Sequence, residues 1–232
     1  MSETRNPGVA PDVRSVAVWD WPVRVFHWSL AVLLVAQVVT ATMGGSAMDW
    51  HLRGGYAVLA LVLFRLAWGV MGSPYARFGS FVRGPAAVGR YARSLLRRTH
   101  EPHVGHTPLG AWMILALLLL LLAQASTGLF ANDEIATEGP LAKLVTQNTS
   151  DLLSSIHRRM AWVVVALAGV HVAAVLYYLA VLRENLVRPM ITGVKVVPAR
   201  LAPAQAAGRW TARALGVLAA CAFAVWWIVN RL

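Results

Sequence analysis

The stretch "LGAWMILALLLLLLAQASTGLF", Leu109 to Phe130, contains no charged residue. A helix needs about 20 predominantly apolar residues to cross the hydrocarbon core of a bilayer, and a segment apolar on all sides has to be surrounded by apolar matter. The same reasoning along the chain predicts five spans, at about Val25 to Met43, Leu52 to Met71, Leu109 to Phe130, Met160 to Leu182 and Arg213 to Val229. Backbone in lipid must satisfy its own hydrogen bonds, so the expected fold class is an all-α integral membrane bundle. With 58% apolar and only 13% charged residues, the composition excludes an ordinary soluble domain. The connecting segments are rich in Gly, Pro and Arg and hold no repeat or separating linker, which implies a single membrane domain over residues 1–232.

The formal net charge of +11 is distributed in a way that identifies its role. Arg5, Arg14 and Arg24 precede or open the first span. Arg77, Arg83, Arg90, Arg93, Arg97 and Arg98 lie between the second and third spans. A further group (Arg183, Arg188, Lys195, Arg200, Arg209 and Arg213) follows the fourth. The remaining loops mix Arg53, Lys143, Arg158 and Arg159 with Asp49, Asp133, Glu134, Glu138 and Asp151. By the positive-inside rule the N-terminus is cytoplasmic and the C-terminus outside, and the chain is a multi-pass membrane protein. The charge is a topology signal, and no nucleic-acid partner is expected. The outer loops offer a mildly acidic surface to a basic soluble partner. Small residues in "TATMGGSA" resemble a signal-peptidase site, but the long preceding segment with Asp12 and Asp20 argues for a retained first span. The single Cys221 excludes an internal disulfide and a C-x-x-C-H haem attachment.

Histidines carry the chemistry. His157 and His171 are fourteen residues apart on the fourth span. At 100° per residue they fall within about 40° of each other on one face, separated by about 21 Å along the axis. His27 opens the first span level with His171, and His51 opens the second level with His157. Two pairs at two depths result, His27 with His171 and His51 with His157. Facing imidazoles in a water-poor bundle suit six-coordinate haem iron, which takes one nitrogen from each side of the porphyrin. Read singly, His27 and His51 also fit as interfacial residues among tryptophans, and His157 as a solvated helix end. Arginines suit the anionic propionates: Arg53, Arg158 and Arg159 flank the outer pair, and Arg24 lies near the inner one. Arg65, fourteen residues after His51, sits near the inner depth or else snorkels to the cytoplasmic surface.

Other polar features are less informative. In "HEPHVGH", His100, His103 and His106 recur every three residues, but Pro102 and Gly105 and the lack of an acidic cluster favour a loop over a metal site. Gln37 and Gln124, inside the first and third spans, are candidates for hydrogen bonds between helices.

The segments "PVRVFHW", "HLRGGYAVLALVLFRLAWG", "GHTPLGAWM" and "IHRRMAWVVVALAGVH" resemble the bacterial cytochrome b561 and NiFe-hydrogenase b-type cytochrome family, over about residues 19–183. The resemblance implies a four-helix core binding two haem b groups, with His27, His51, His157 and His171 as iron ligands. Residues 184–232 then form a basic cytoplasmic loop and an additional C-terminal transmembrane helix, whose Trp226 and Trp227 fit an interfacial aromatic belt. The family implies electron exchange between the quinone pool and a periplasmic cytochrome or other redox protein. Two alternatives are the membrane anchor of a hydrogenase-like enzyme and a superoxide:quinone oxidoreductase whose outer arginines steer the anion. For quinone, residues 131–156, with Asp133, Glu134, Asn148 and Asp151, form either a lid over the outer pair or an ordinary connection. His106 and Arg24 offer an inner alternative.

Overall fold

The computed structural model describes residues 12–97, 99, 103–135, 137–202 and 210–231. Arg5, Arg98, His100, Pro102 and Arg209, weighed above, lie outside the described residues. The elements run β1 (Val13–Ala17), α1 (Trp21–Met43), α2 (Ala47–Met71), α3 (Phe78–Phe81), α4 (Pro85–Leu96), α5 (Pro108–Gly128), α6 (Gln147–Ala180), α7 (Val187–Thr192), β2 (Val194–Pro198) and α8 (Thr211–Arg231). Five of the helices, α1, α2, α5, α6 and α8, are long and apolar enough to cross a membrane. The fold is a multi-pass helical bundle.

Helix starts are fixed by local chemistry. Asp20 caps α1 by accepting from the Val23 amide at 2.9 Å, and Thr107 caps α5 by accepting from Gly110 at 3.1 Å, each followed by a proline in the first turn. Between α1 and α2 the chain reverses through Gly44 and Gly45, at φ of 62° and 55°. Two successive left-handed residues suit glycine, and this short turn makes α1 and α2 an antiparallel hairpin.

α2 is the pillar of the bundle. It packs against α1, α5 and α8, while α6 packs against α5. Val58, Val62, Phe64 and Trp68 of α2 join Phe26, Leu118, Leu121, Val164 and Ala214 in the main core. The outward faces of the other spans carry exposed apolar residues such as Val32, Val35, Leu119, Trp162 and Phe223, as lipid-facing surface should.

Two findings differ from the sequence expectation. The fourth span starts at Gln147, well before Met160, and gives a helix of 34 residues. At 1.5 Å per residue it is about 51 Å long, against about 30 Å of hydrocarbon. Its first turns are polar outside the apolar run, but Thr146 caps them, accepting from Thr149, and the preceding loop pins them: Asn132 donates from its amide to Ser154 and from Nδ2 to Ser150 and Asp151. The second is a two-stranded antiparallel ribbon of β1 and β2, with Val16 facing Lys195 in the register. Val16, Val18 and Val197 are buried with Tyr75 and Val104 packed on them. Because the ribbon joins the segment before α1 to the segment after α6, these two segments lie on one side of the membrane and an even number of crossings separates them. This is the ribbon side of the molecule.

The ribbon side is laced to the helices. Lys195 Nζ pairs with Glu184 and donates to the His103 carbonyl, Tyr91 of α4 hydrogen-bonds Tyr178 of α6, and Trp112 of α5 donates to the Arg83 carbonyl. At Gly69 a Cβ would stand 2.0 Å from the Phe78 ring. Gly69→Ala therefore forces α3 off α2, and we expect a loss of about 1–3 kcal/mol of stability, read as a lower Tm in detergent and relieved when Phe78→Ala is added.

Candidate functional site

Each predicted histidine belongs to a different helix or a different depth of α6. His27 lies in the second turn of α1, His51 in the second turn of α2, and His157 and His171 on the long α6. The structure brings the rings together in two pairs. The centroids of His27 and His171 are 6.4 Å apart, and those of His51 and His157 are 6.2 Å apart. His27 and His171 are on the ribbon side, and the other pair is on the far side.

The far pair is held by a matching set of bonds from two helices. Gln37 of α1 donates from Nε2 to the His51 carbonyl at 3.0 Å, and His51 Nδ1 lies 3.1 Å from the Gln37 carbonyl. Gln124 of α5 donates to the His157 carbonyl at 3.1 Å, and His157 Nδ1 lies 2.9 Å from the Gln124 carbonyl. Each Nδ1 is also 3.3 Å from a threonine hydroxyl, Thr40 or Thr127. Carbonyl oxygens only accept, so each Nδ1 carries the proton and leaves Nε2 as the basic nitrogen. The Gln124 amide also approaches His157 Nε2, at 3.2 Å. Close packing completes the arrangement: a Cβ on Gly128 would lie 2.9 Å from the His157 ring, and one on Gly54 3.1 Å from Gln37.

The ribbon-side pair has no comparable bonds among the described residues; His27 Nδ1 is buried without a protein partner. Arg65 is 2% exposed, and both its terminal nitrogens lack a protein partner, with Cζ 4.9 Å from the Phe78 ring centre. It does not snorkel. Asp20 lies close enough to lessen the cost of burying this charge, but its carboxylate oxygens bond the Val23 amide and the Trp68 indole, so the two terminal nitrogens of Arg65 leave room for a further anion.

The other predicted arginines stand differently. Arg24 is half-buried and donates to the Ile191 carbonyl, with its Nε buried and unpartnered. Arg158 and Arg159 are exposed, and Arg53 is exposed beside Trp50, 5.5 Å from that ring. Within the segment 131–156, Asn132 ties its loop to the first turns of α6, and Asn148 and Glu134 are exposed. His103 and His106 face different aromatic partners, Tyr91 for the first and Trp19 and Phe81 for the second.

The bonding residues Gln37, Thr40, Gln124 and Thr127 were not part of the predicted site. Their signal is a short echo, "AQVVT" in α1 and "AQAST" in α5, which becomes meaningful only when both helices are seen beside a histidine.

Five apolar helices with histidines facing each other inside define a multi-pass membrane protein with a nitrogen-rich interior. A family model described as prokaryotic cytochrome b561 matches residues 18–193. The chain is 24% identical over 217 aligned residues to a probable Ni/Fe-hydrogenase B-type cytochrome subunit of Rhizobium leguminosarum bv. viciae, a match covering 79% of this chain and 90% of that protein. It is 30% identical over 122 residues to the protein of the same description in Azotobacter vinelandii, covering 41% of this chain and 50% of that one. No solved structure matches. The chain belongs to the prokaryotic cytochrome b561 family. Membership makes it a haem b-binding electron-transfer protein of the membrane. The matched region ends before β2, so α8 lies outside it.

His106 gives a pH-dependent prediction. Burial, with the Arg65 guanidinium adding to it, lowers its pKa from 6.5 to about 3. Below pH 6.5 the unfolded chain takes up a proton that the folded protein refuses, so this residue costs stability progressively as pH falls towards 3. The His106→Leu variant is expected to lose less Tm than the wild type over that range, measured by thermal unfolding in detergent.

Proposed function

We propose that this protein is a diheme b-type cytochrome that moves electrons between the membrane quinone pool and a redox protein on the periplasmic side of a bacterial inner membrane. The carrying observation is the spacing of the two histidine pairs. Imidazole nitrogens bind transition metals at about 2 Å and lie about 1 Å from their ring centres, so two rings flanking one iron have centroids about 6 Å apart. Both pairs, at 6.4 and 6.2 Å, fit that separation. Haem b, when bound, supplies a one-electron couple at each depth.

In this reading His27 and His171 ligate the inner, cytoplasmic group, and His51 and His157 the outer one. The bonds at Nδ1 orient the outer imidazoles with Nε2 free for iron, and a ligating His157 gives up its contact with the Gln124 amide while the bond from Gln124 to the His157 carbonyl remains. Arg65 supplies the buried cation for an inner propionate, with Arg24 beside it, and Arg53, Arg158 and Arg159 serve the outer group near the polar rim. The diheme unit is residues 19–183. The ribbon side is cytoplasmic, which puts the end of α8 in the periplasm.

A second reading, the membrane subunit of a larger oxidoreductase, is favoured by the description of both relatives as hydrogenase B-type cytochrome subunits. Copurification with a large periplasmic partner distinguishes it from a free-standing cytochrome.

The pyridine haemochrome assay of purified protein is expected to give two haems per chain, falling to one in His171→Ala. A wild-type value of one or none, unchanged by the substitution, overturns the reading. Gly128→Val, which drives a side chain into the His157 ring, is expected to lower the haem content towards one as well, whereas Gly216→Val, where a Cβ meets nothing within 4 Å, leaves it at two.

A further inference from the structure

The two histidine pairs differ in a way that the proposed function does not require. On the outer side, Gln37 and Thr40 of α1 serve His51, and Gln124 and Thr127 of α5 serve His157, with the same spacing and the same bonds. The threonine hydroxyls are themselves oriented. The Thr40 hydroxyl donates to the Ala36 carbonyl at 2.7 Å or the Gln37 carbonyl at 3.3 Å, and the Thr127 hydroxyl to the Gln124 carbonyl at 2.9 Å or the Ala123 carbonyl at 3.0 Å. Each hydroxyl oxygen therefore turns a lone pair to Nδ1, and each Nδ1–H lies between two acceptors, the glutamine carbonyl and the threonine oxygen. On the inner side, neither His27 nor His171 has a hydrogen-bonded ring nitrogen among the described residues. The buried Arg65, fourteen residues after His51 on α2, brings a positive charge to that end instead.

These differences act in one direction. A hydrogen bond accepted from Nδ1–H pushes electron density towards Nε2 and makes the imidazole a stronger donor, which stabilises ferric over ferrous iron. The inner imidazoles, without such bonds, stay the weaker donors. We propose that Gln37, Thr40, Gln124 and Thr127 are positioning residues that lower the reduction potential of the outer station, so that it lies below the inner one. The inference rests on the diheme reading. Its consequence is that, with both groups bound, one electron placed on the station that His51 and His157 would hold would be given up to the station that His27 and His171 would hold.

The test is a spectroscopic redox titration of the purified full-length protein in lipid nanodiscs, after its haem content has been measured. Two one-electron steps are expected. His171→Ala, which removes an inner ligand, should keep the lower step, and His51→Ala should keep the higher one. Thr40→Val and Thr127→Val, nearly isosteric changes on two different helices, should each shift the lower step upward by up to about tenfold in the reduction equilibrium, which is 59 mV for one electron. The higher step should stay in place, and Thr127→Ser should restore the wild-type value. The inference is overturned if two haems are bound but the order of the single-haem variants is reversed, or if both threonine variants leave the lower step where it was. A wild type that binds fewer than two haems fails at the haem assay, before any potential is read, and that failure belongs to the underlying reading.

Discussion

In hydrocarbon a polar group has no water to fall back on, and this single condition organises the bundle. The backbone meets it by forming helices. The side chains meet it by pairing across helices, and the reciprocal bonds between glutamine and histidine at the far end are the clearest instance: each residue gives a donor to the other's backbone carbonyl. Such bonds contribute on the order of 1 kcal/mol each between membrane helices. Their larger effect is on geometry, because they fix a ring orientation that apolar packing alone leaves free. Arg65, the one buried charged residue among the described residues, shows the same condition only partly met, with both terminal nitrogens lacking a protein partner.

α2 is the element on which the other spans depend. α2 packs against three other spans, so the bundle is held together largely from one side. α1 and α6 approach each other at His27 and His171, whose ring centres are 6.4 Å apart. α8 covers a further face of α2 through Ala214 and Val225, which lie in two different parts of the core. The fifth helix thus buttresses the pillar, and its Thr211 also accepts from the Trp21 indole of α1.

Much of this was legible in the sequence, for a physical reason. Helical periodicity is rigid enough that a spacing of fourteen residues puts His157 and His171 on one face, and alternating helix direction then sets the depths of His27 and His51. The start of α6 was not legible, because Gln147 to Ser155 is polar and its helicity comes from the Thr146 cap and the Asn132 contacts. The ribbon was hidden as well. Strands of five residues whose partners are some 180 positions apart leave no local pattern, and the valines of "VRSVA" and "VKVVP" acquire a buried face only when the two meet. The fate of Arg65 was open in the sequence because snorkelling and burial place the residue at the same position along the helix, and only the packing of Phe78 above it decides.

The ribbon also constrains the order in which the molecule can be completed. Its first strand emerges from the ribosome before any span, and its second only after α6 has been made. Until then β1 has both edges open, and the hairpin α1–α2 has to sit in the membrane without its clasp. Pairing closes a ring of four membrane passages, so it works as a checkpoint on threading: a chain that misses or adds one crossing strands β2 on the opposite face, where no partner for it exists.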